Sequence, residues 1–113
     1  MSAFDRLKAE IDGQSARPPL RVLAASGQLG YGIPGAALKA GIAREPHVIG
    51  ADMGSIDPGP AYLGSGQIAT SPSMTARDLR LVLTAARKLD VPLLIGSAGT
   101  AGTNSQLNTV AEI

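Results

Sequence analysis

Two aspartates five residues apart sit in a stretch crowded with glycine and proline. The segment is Asp52-Met53-Gly54-Ser55-Ile56-Asp57-Pro58-Gly59-Pro60-Ala61-Tyr62-Leu63-Gly64-Ser65-Gly66. Two carboxylates in one stiff loop can act as a general acid/base pair, or as hard oxygen ligands for a divalent metal such as Mg²⁺. The spacing of Asp52 and Asp57 is not that of any defined metal site, so both roles stay open. Each residue also has a plainer use. Asp57-Pro58-Gly59 specifies a β-turn, and Asp52 can bond loop amides. Tyr62 can pack beneath the loop or offer its hydroxyl to a ligand.

Two further glycine-rich stretches flank this one. Ser26-Gly27-Gln28-Leu29-Gly30-Tyr31-Gly32 reads G-x-x-G-x-G, which is neither a dinucleotide fingerprint nor a Walker A loop. Its place between an apolar run and a helical pattern suits a phosphate-cradling turn, with Gly27 and Gly30 as contacts, or simply a tight turn that needs positive φ. Gly96-Ser97-Ala98-Gly99-Thr100-Ala101-Gly102-Thr103-Asn104-Ser105 is the better anion site on sequence. Its amides precede a helix, small residues such as Gly99 let them approach a ligand, and Ser97, Thr100, Thr103 and Asn104 add neutral donors. The plainer reading is a linker in which Thr103, Asn104 or Ser105 caps the helix. Ser26, Ser55, Ser65 and Ser97 lack a nucleophile-elbow motif, and His47 begins a strand, away from all three loops.

Composition removes whole classes of chemistry. The 113 residues hold no Cys and one His, which excludes disulfides, thiol catalysis, iron–sulfur clusters and multi-His metal sites. Ten basic against nine acidic residues leave a net charge of +1, and aromatics are 3%. No nucleic-acid face and no polybasic membrane tether follow from such a balance. No apolar run approaches a membrane span, and residues 1–12 are too charged for a signal peptide, so a cytoplasmic location is expected.

Short apolar runs at Leu20–Ala25, His47–Ala51 and Pro92–Ile95 do not alternate, as strands of a parallel sheet buried on both faces would not. Helical patterns separate them. Pro34 suits a first helical position before Ala36–Ala43. Thr75–Leu89 carries an apolar stripe of Leu79, Val82, Leu83 and Ala86 behind a Thr75/Asp78 cap. Ser105–Ile113 starts another helix, and residues 2–11 form an amphipathic one, capped by Ser2 and Asp5, with Phe4, Leu7 and Ile11 on one face. The expected fold is α/β: a three-layer-type parallel sheet of β-α-β-α-β units with glycine-rich loops at the carboxyl ends of the strands. Residues 1–19 are read as an appended helix and linker, and 20–113 as an α/β domain that is the amino-terminal part of a larger one.

Ala51–Gly64 resembles the D-x-G-S-x-D-P-G-P-x-Y-L-G signature of the acyclic-terpene-utilisation (AtuA-like) family. Ile95–Gly102 resembles that family's second glycine-rich stretch, and Arg21–Gly32 fits its opening. Ile56 and Thr100 stand where Thr and Gly are expected. The resemblance runs from Arg21 to the end of the chain and leaves out residues 2–11. It implies the amino-terminal part of a longer cytoplasmic α/β protein of small-acid catabolism. The expected activity is that of a lyase or hydratase acting on a small carboxylate or acyl-CoA, with Asp52 and Asp57 catalytic. Substrate contacts would come from Gly27, Gly30, Ser55, Tyr62, Ser97, Gly99, Thr100 and Asn104. The alternative is a non-catalytic phosphate- or nucleotide-binding module, or an assembly subunit. In either case a homo-oligomer, or covalent continuation beyond the chain, is expected.

Overall fold

Ser2 and Asp5 start the first helix as their spacing predicts. The computed structural model describes residues 1–13, 19–25, 27–54, 58 and 60–113. In it Ser2 Oγ accepts the Asp5 N–H while the Asp5 carboxylate accepts the Ser2 N–H, closing a capping box on α1 (Ala3–Asp12). The elements β1 (Val22–Ala24), α2 (Gly35–Ile42), β2 (Val48–Gly54), α3 (Ala61–Ser65), α4 (Pro72–Leu89), β3 (Leu93–Thr100) and α5 (Asn104–Glu112) follow. The strands form one parallel sheet in the order β1-β2-β3, so β2 is central. The chain is an α/β protein.

Residues in register share a face of the sheet. Leu23, Ile49 and Leu93 lie on one level, and Ala51 and Ile95 on the next. This face meets Leu38 and Ile42 of α2 and Leu79, Val82 and Ala86 of α4 in the hydrophobic core. Leu29 and Ile33 come from the loop after β1 and are fully buried there, which anchors that loop by its side chains.

Several elements differ from the sequence expectation. Helix α4 begins at Pro72, with Ser71 Oγ accepting the Met74 N–H as its cap. Proline suits a first helical position because its missing N–H has no partner to lose. Thr75 and Asp78 are therefore not caps but fully buried residues inside the helix. Its buried stripe is turned accordingly: Ala85 is inside, and Leu83 is half exposed. The third glycine-rich stretch is not a loop throughout. Strand β3 runs on through Ser97, Gly99 and Thr100, past the expected end at Ile95. Between Asp52↔Gly96 and Gly54↔Thr100 the register shifts, so three residues of β3 face one of β2 in a large bulge. Ser97, Gly99 and Thr100 all have positive φ there. Helix α3 occupies part of the segment expected to be irregular.

Candidate functional site: a rim braced around Asp52

Strand β2 carries Asp52 to its carboxyl end, where open α/β sheets present their ligands. Asp52 is exposed, and its Oδ1 accepts the Gly54 N–H at 2.9 Å. It forms no ion pair among the described residues. Its register neighbour on β3 is Gly96, and a Cβ built there would meet nothing within 4 Å, so the carboxylate has an open flank. Ser97 is exposed and follows directly. Its side chain occupies the space that a Cβ on Gly54 would need, so glycine at 54 is what lets β3 close in beside Asp52.

The loop after β1 reaches the rim through two contacts. Leu29 N–H bonds the Asp52 carbonyl at 2.7 Å, and Gln28 Nε2 lies 3.5 Å from the Met53 carbonyl. What holds this loop is Asp78. One carboxylate oxygen accepts the N–H groups of Gly30 and Gly32 at 2.8 and 2.9 Å. The other accepts Ile33 N–H at 3.0 Å and Arg77 Nη1 at 2.6 Å. Arg77 also donates to the Ile33 carbonyl. Burial pushes the Asp78 carboxyl pKa up, but the amides of Ile33, Gly30 and Gly32 and the Arg77 guanidinium outweigh it, and the pKa lies below the usual value. The turn thus has the geometry of an anion cradle, with the protein's own carboxylate as the anion. Gly30 (φ +101°) and Gly32 (φ +105°) supply the conformation that aims the amides inward.

Gln106 does the same on the other side. It is fully buried, its Oε1 accepting Ala101 and Thr103 N–H and its Nε2 donating to the Tyr62 and Gln67 carbonyls. All four hydrogen-bonding positions of the amide are filled. Thr103 caps α5, with Gln106 completing a capping box.

The expected site residues therefore separate into two groups. Asp52, Gly27, Ser97 and Asn104 are exposed. Gly30, Gly99 and Thr100 are buried. The Gly30 amide is bound by Asp78, Gly99 packs against Gln106, and Thr100 Oγ1 accepts the Ala69 N–H. Tyr62 is half-buried in α3, with its carbonyl held by Gln106. Ser55 and Asp57 lie outside the described residues, as do Ser26, Ile56 and Gly59 and the linker residues 14–18. His47 precedes β2, and its Nδ1 accepts the Arg21 N–H at the far end of the sheet from Asp52. Magnesium is ordinarily held by one or two carboxylates together with waters and substrate oxygens. Asp52 is the one member of the expected pair among the described residues, which hold no group of three or more potential ligands.

A cavity of about 330 Å³ lies beside Ser97, lined also by Ile95, Ala98, Ala101, Gly102 and Leu107. It shares Ile95, Ala98 and Leu107 with an apolar groove of about 550 Å³ between α4 and α5. Among the described residues no helix is long and apolar enough to cross a membrane. Compared with known protein families, curated proteins and solved structures, the chain matches none.

Proposed function

We propose that the chain is the amino-terminal part of a cytoplasmic AtuA-like catabolic enzyme, a lyase or hydratase acting on a small carboxylate or acyl-CoA intermediate. In this reading residues 20–113 are β-α-β-α-β units of a three-layer sheet, and residues 1–19 are an appendage. One observation carries the chemistry. Asp52 is an exposed carboxylate at the carboxyl end of the central strand, on a rim made rigid by buried Asp78 and Gln106. Abstracting a proton beside a carbonyl needs a base held in place and a donor for the oxyanion that develops. Asp52 is the base, and the Ser97 hydroxyl on the neighbouring strand is the donor. The apolar groove reached past Ser97 supports the acyl part of the proposal.

The phosphate- or nucleotide-binding alternative needs free loop amides. Those of Gly30, Gly32 and Ile33 are bonded to Asp78, and those of Ala101 and Thr103 to Gln106. A melting-temperature panel of acyl-CoA esters, dicarboxylates, inorganic phosphate and nucleotides tests the choice. Stabilisation by an acyl-CoA or dicarboxylate is expected, and stabilisation by phosphate or nucleotide alone contradicts it. In the complete enzyme Asp52→Asn is expected to abolish turnover with the melting temperature nearly unchanged. Retained turnover removes Asp52 from the mechanism.

A further inference from the structure

Helix α5 leaves the carboxyl end of β3, and α4 runs down to its amino end, so the seam between the two helices starts at the rim. The apolar groove of about 550 Å³ follows that seam and shares Ile95, Ala98 and Leu107 with the cavity beside Ser97. Its size falls within the roughly 300–1,000 Å³ of small-molecule sites, which are likewise mostly apolar with a few polar groups. Leu83, Leu107 and Ile113 stand about half exposed along it.

Two polar side chains belong to the lining. Arg80 is the one charged group, and Thr84 follows one helical turn further along α4, on the same face. Both are exposed, and neither has a side-chain hydrogen bond or ion pair among the described residues. Arg77, three residues earlier, is by contrast committed to Asp78. Arginine lays its apolar stem along such a surface and keeps its guanidinium in water. The groove thus has an apolar floor and a cationic mouth, with no acidic side chain in its lining to neutralise it. A planar guanidinium matches a carboxylate through two parallel N–H bonds.

We propose that this groove holds an aliphatic chain ending in a carboxylate, and that Arg80 is the residue that selects the carboxylate. An occupant with a neutral end would draw nothing from Arg80, and one with a cationic end would be repelled. The other end of the groove is the cavity at Ser97, beside Asp52. The substrate class of the rim therefore narrows to a thioester whose acyl chain carries a second carboxylate at its far end. That last step rests on the reading of Asp52 given above; the carboxylate site does not.

Amide-resolved NMR titration of the purified chain with octanoate, and with octanamide as its neutral counterpart of equal length, tests the site. Octanoate is expected to bind at least about fivefold more tightly, with shifts centred on Arg80, Thr84 and Leu107. Arg80→Gln is expected to bring the two ligands within about twofold of each other, with an unchanged circular dichroism spectrum. Lys39→Gln removes the same charge from the exposed surface of α2 and is expected to leave the preference intact. Equal binding of octanoate and octanamide, a preference that survives Arg80→Gln, or shifts away from the groove overturns the proposal. The link to the rim is read separately, by comparing octanoyl-CoA with the mono-CoA thioester of octanedioic acid. A preference of at least about fivefold for the second, lost in Arg80→Gln, is expected. Arg80-dependent octanoate binding without that preference leaves the carboxylate site standing and overturns its assignment to the substrate. If octanoate binds and neither thioester does, it is the reading of the Asp52 rim that fails.

Discussion

Replacing Asp78 with asparagine keeps the size of the side chain and removes its charge and one of its two acceptor oxygens. Four donors converge on that carboxylate: three backbone amides at 2.8, 2.9 and 3.0 Å and Arg77 Nη1 at 2.6 Å. In either orientation of the new amide, two of the four donors face an NH₂ group. Arg77 is half exposed and can turn to water, but the amides of Gly30 and Ile33 are buried. An orphaned buried donor costs about 1–3 kcal/mol, and bonds to a charged acceptor lie at the upper end, so Asp78→Asn is expected to cost about 2–4 kcal/mol. For a chain of this length that is a fall in melting temperature of about 8–16 °C. Thermal melting and urea unfolding, both followed by circular dichroism, measure it, and the urea m-value is expected to stay constant. The pH dependence gives a second reading. Because the folded pKa of Asp78 is depressed, its contribution is fully present above the unfolded value of about 3.9 and is lost as pH falls through the folded value. The gap between wild type and variant should thus be flat from about pH 5 to 8 and narrow below about pH 4. A fall smaller than about 2 °C at neutral pH, or a gap that widens in acid, would refute the reasoning.

Gln106→Leu strands two amides and two carbonyls at once and is expected to cost about 2–4 kcal/mol in urea unfolding. Gly30→Ala demands a left-handed conformation of a residue with a side chain, and its Cβ would lie 2.7 Å from Thr70 Cγ2. A loss of about 2–3 kcal/mol is expected, whereas Gly35→Ala, in the first turn of α2 with nothing within 4 Å, should be neutral or stabilise by up to about 1 kcal/mol. Ser71→Ala removes the cap of α4 and should cost about 1 kcal/mol, while Thr75→Ser, inside the helix, leaves that cap intact.

The α/β class with a parallel sheet was legible because continuous apolar runs and helical stripes are local signals. So was the capping box of Ser2 and Asp5, which needs only four neighbouring residues. Asp78 reads as part of a cap because the same spacing from Thr75 serves a cap and a buried helix face. Asp78 is spaced to share a helix face with Val82 and Ala85, but a fully buried carboxylate is rare unless its charge is paired. The amides that satisfy it lie 45 to 48 residues away, beyond the reach of any local pattern. Glycine and serine after Ile95 read as loop, and only pairing with β2 carries β3 onward through them as a bulge. The exposed position of Asp52 near the carboxyl end of β2 was legible from its place at the end of an apolar run. That the flanking loops spend their amides on Asp78 and Gln106 was not.

The most direct test of a rim braced from within is an amide-resolved NMR titration of the chain with an acyl-CoA, and separately with inorganic phosphate. The account expects the acyl-CoA to shift the Gly27, Gly54 and Ser97 amides, and phosphate to leave Gly30, Gly32, Ala101 and Thr103 unmoved. Phosphate-induced shifts centred on those four amides, with Asp52 and its neighbours silent to acyl-CoA, would contradict it.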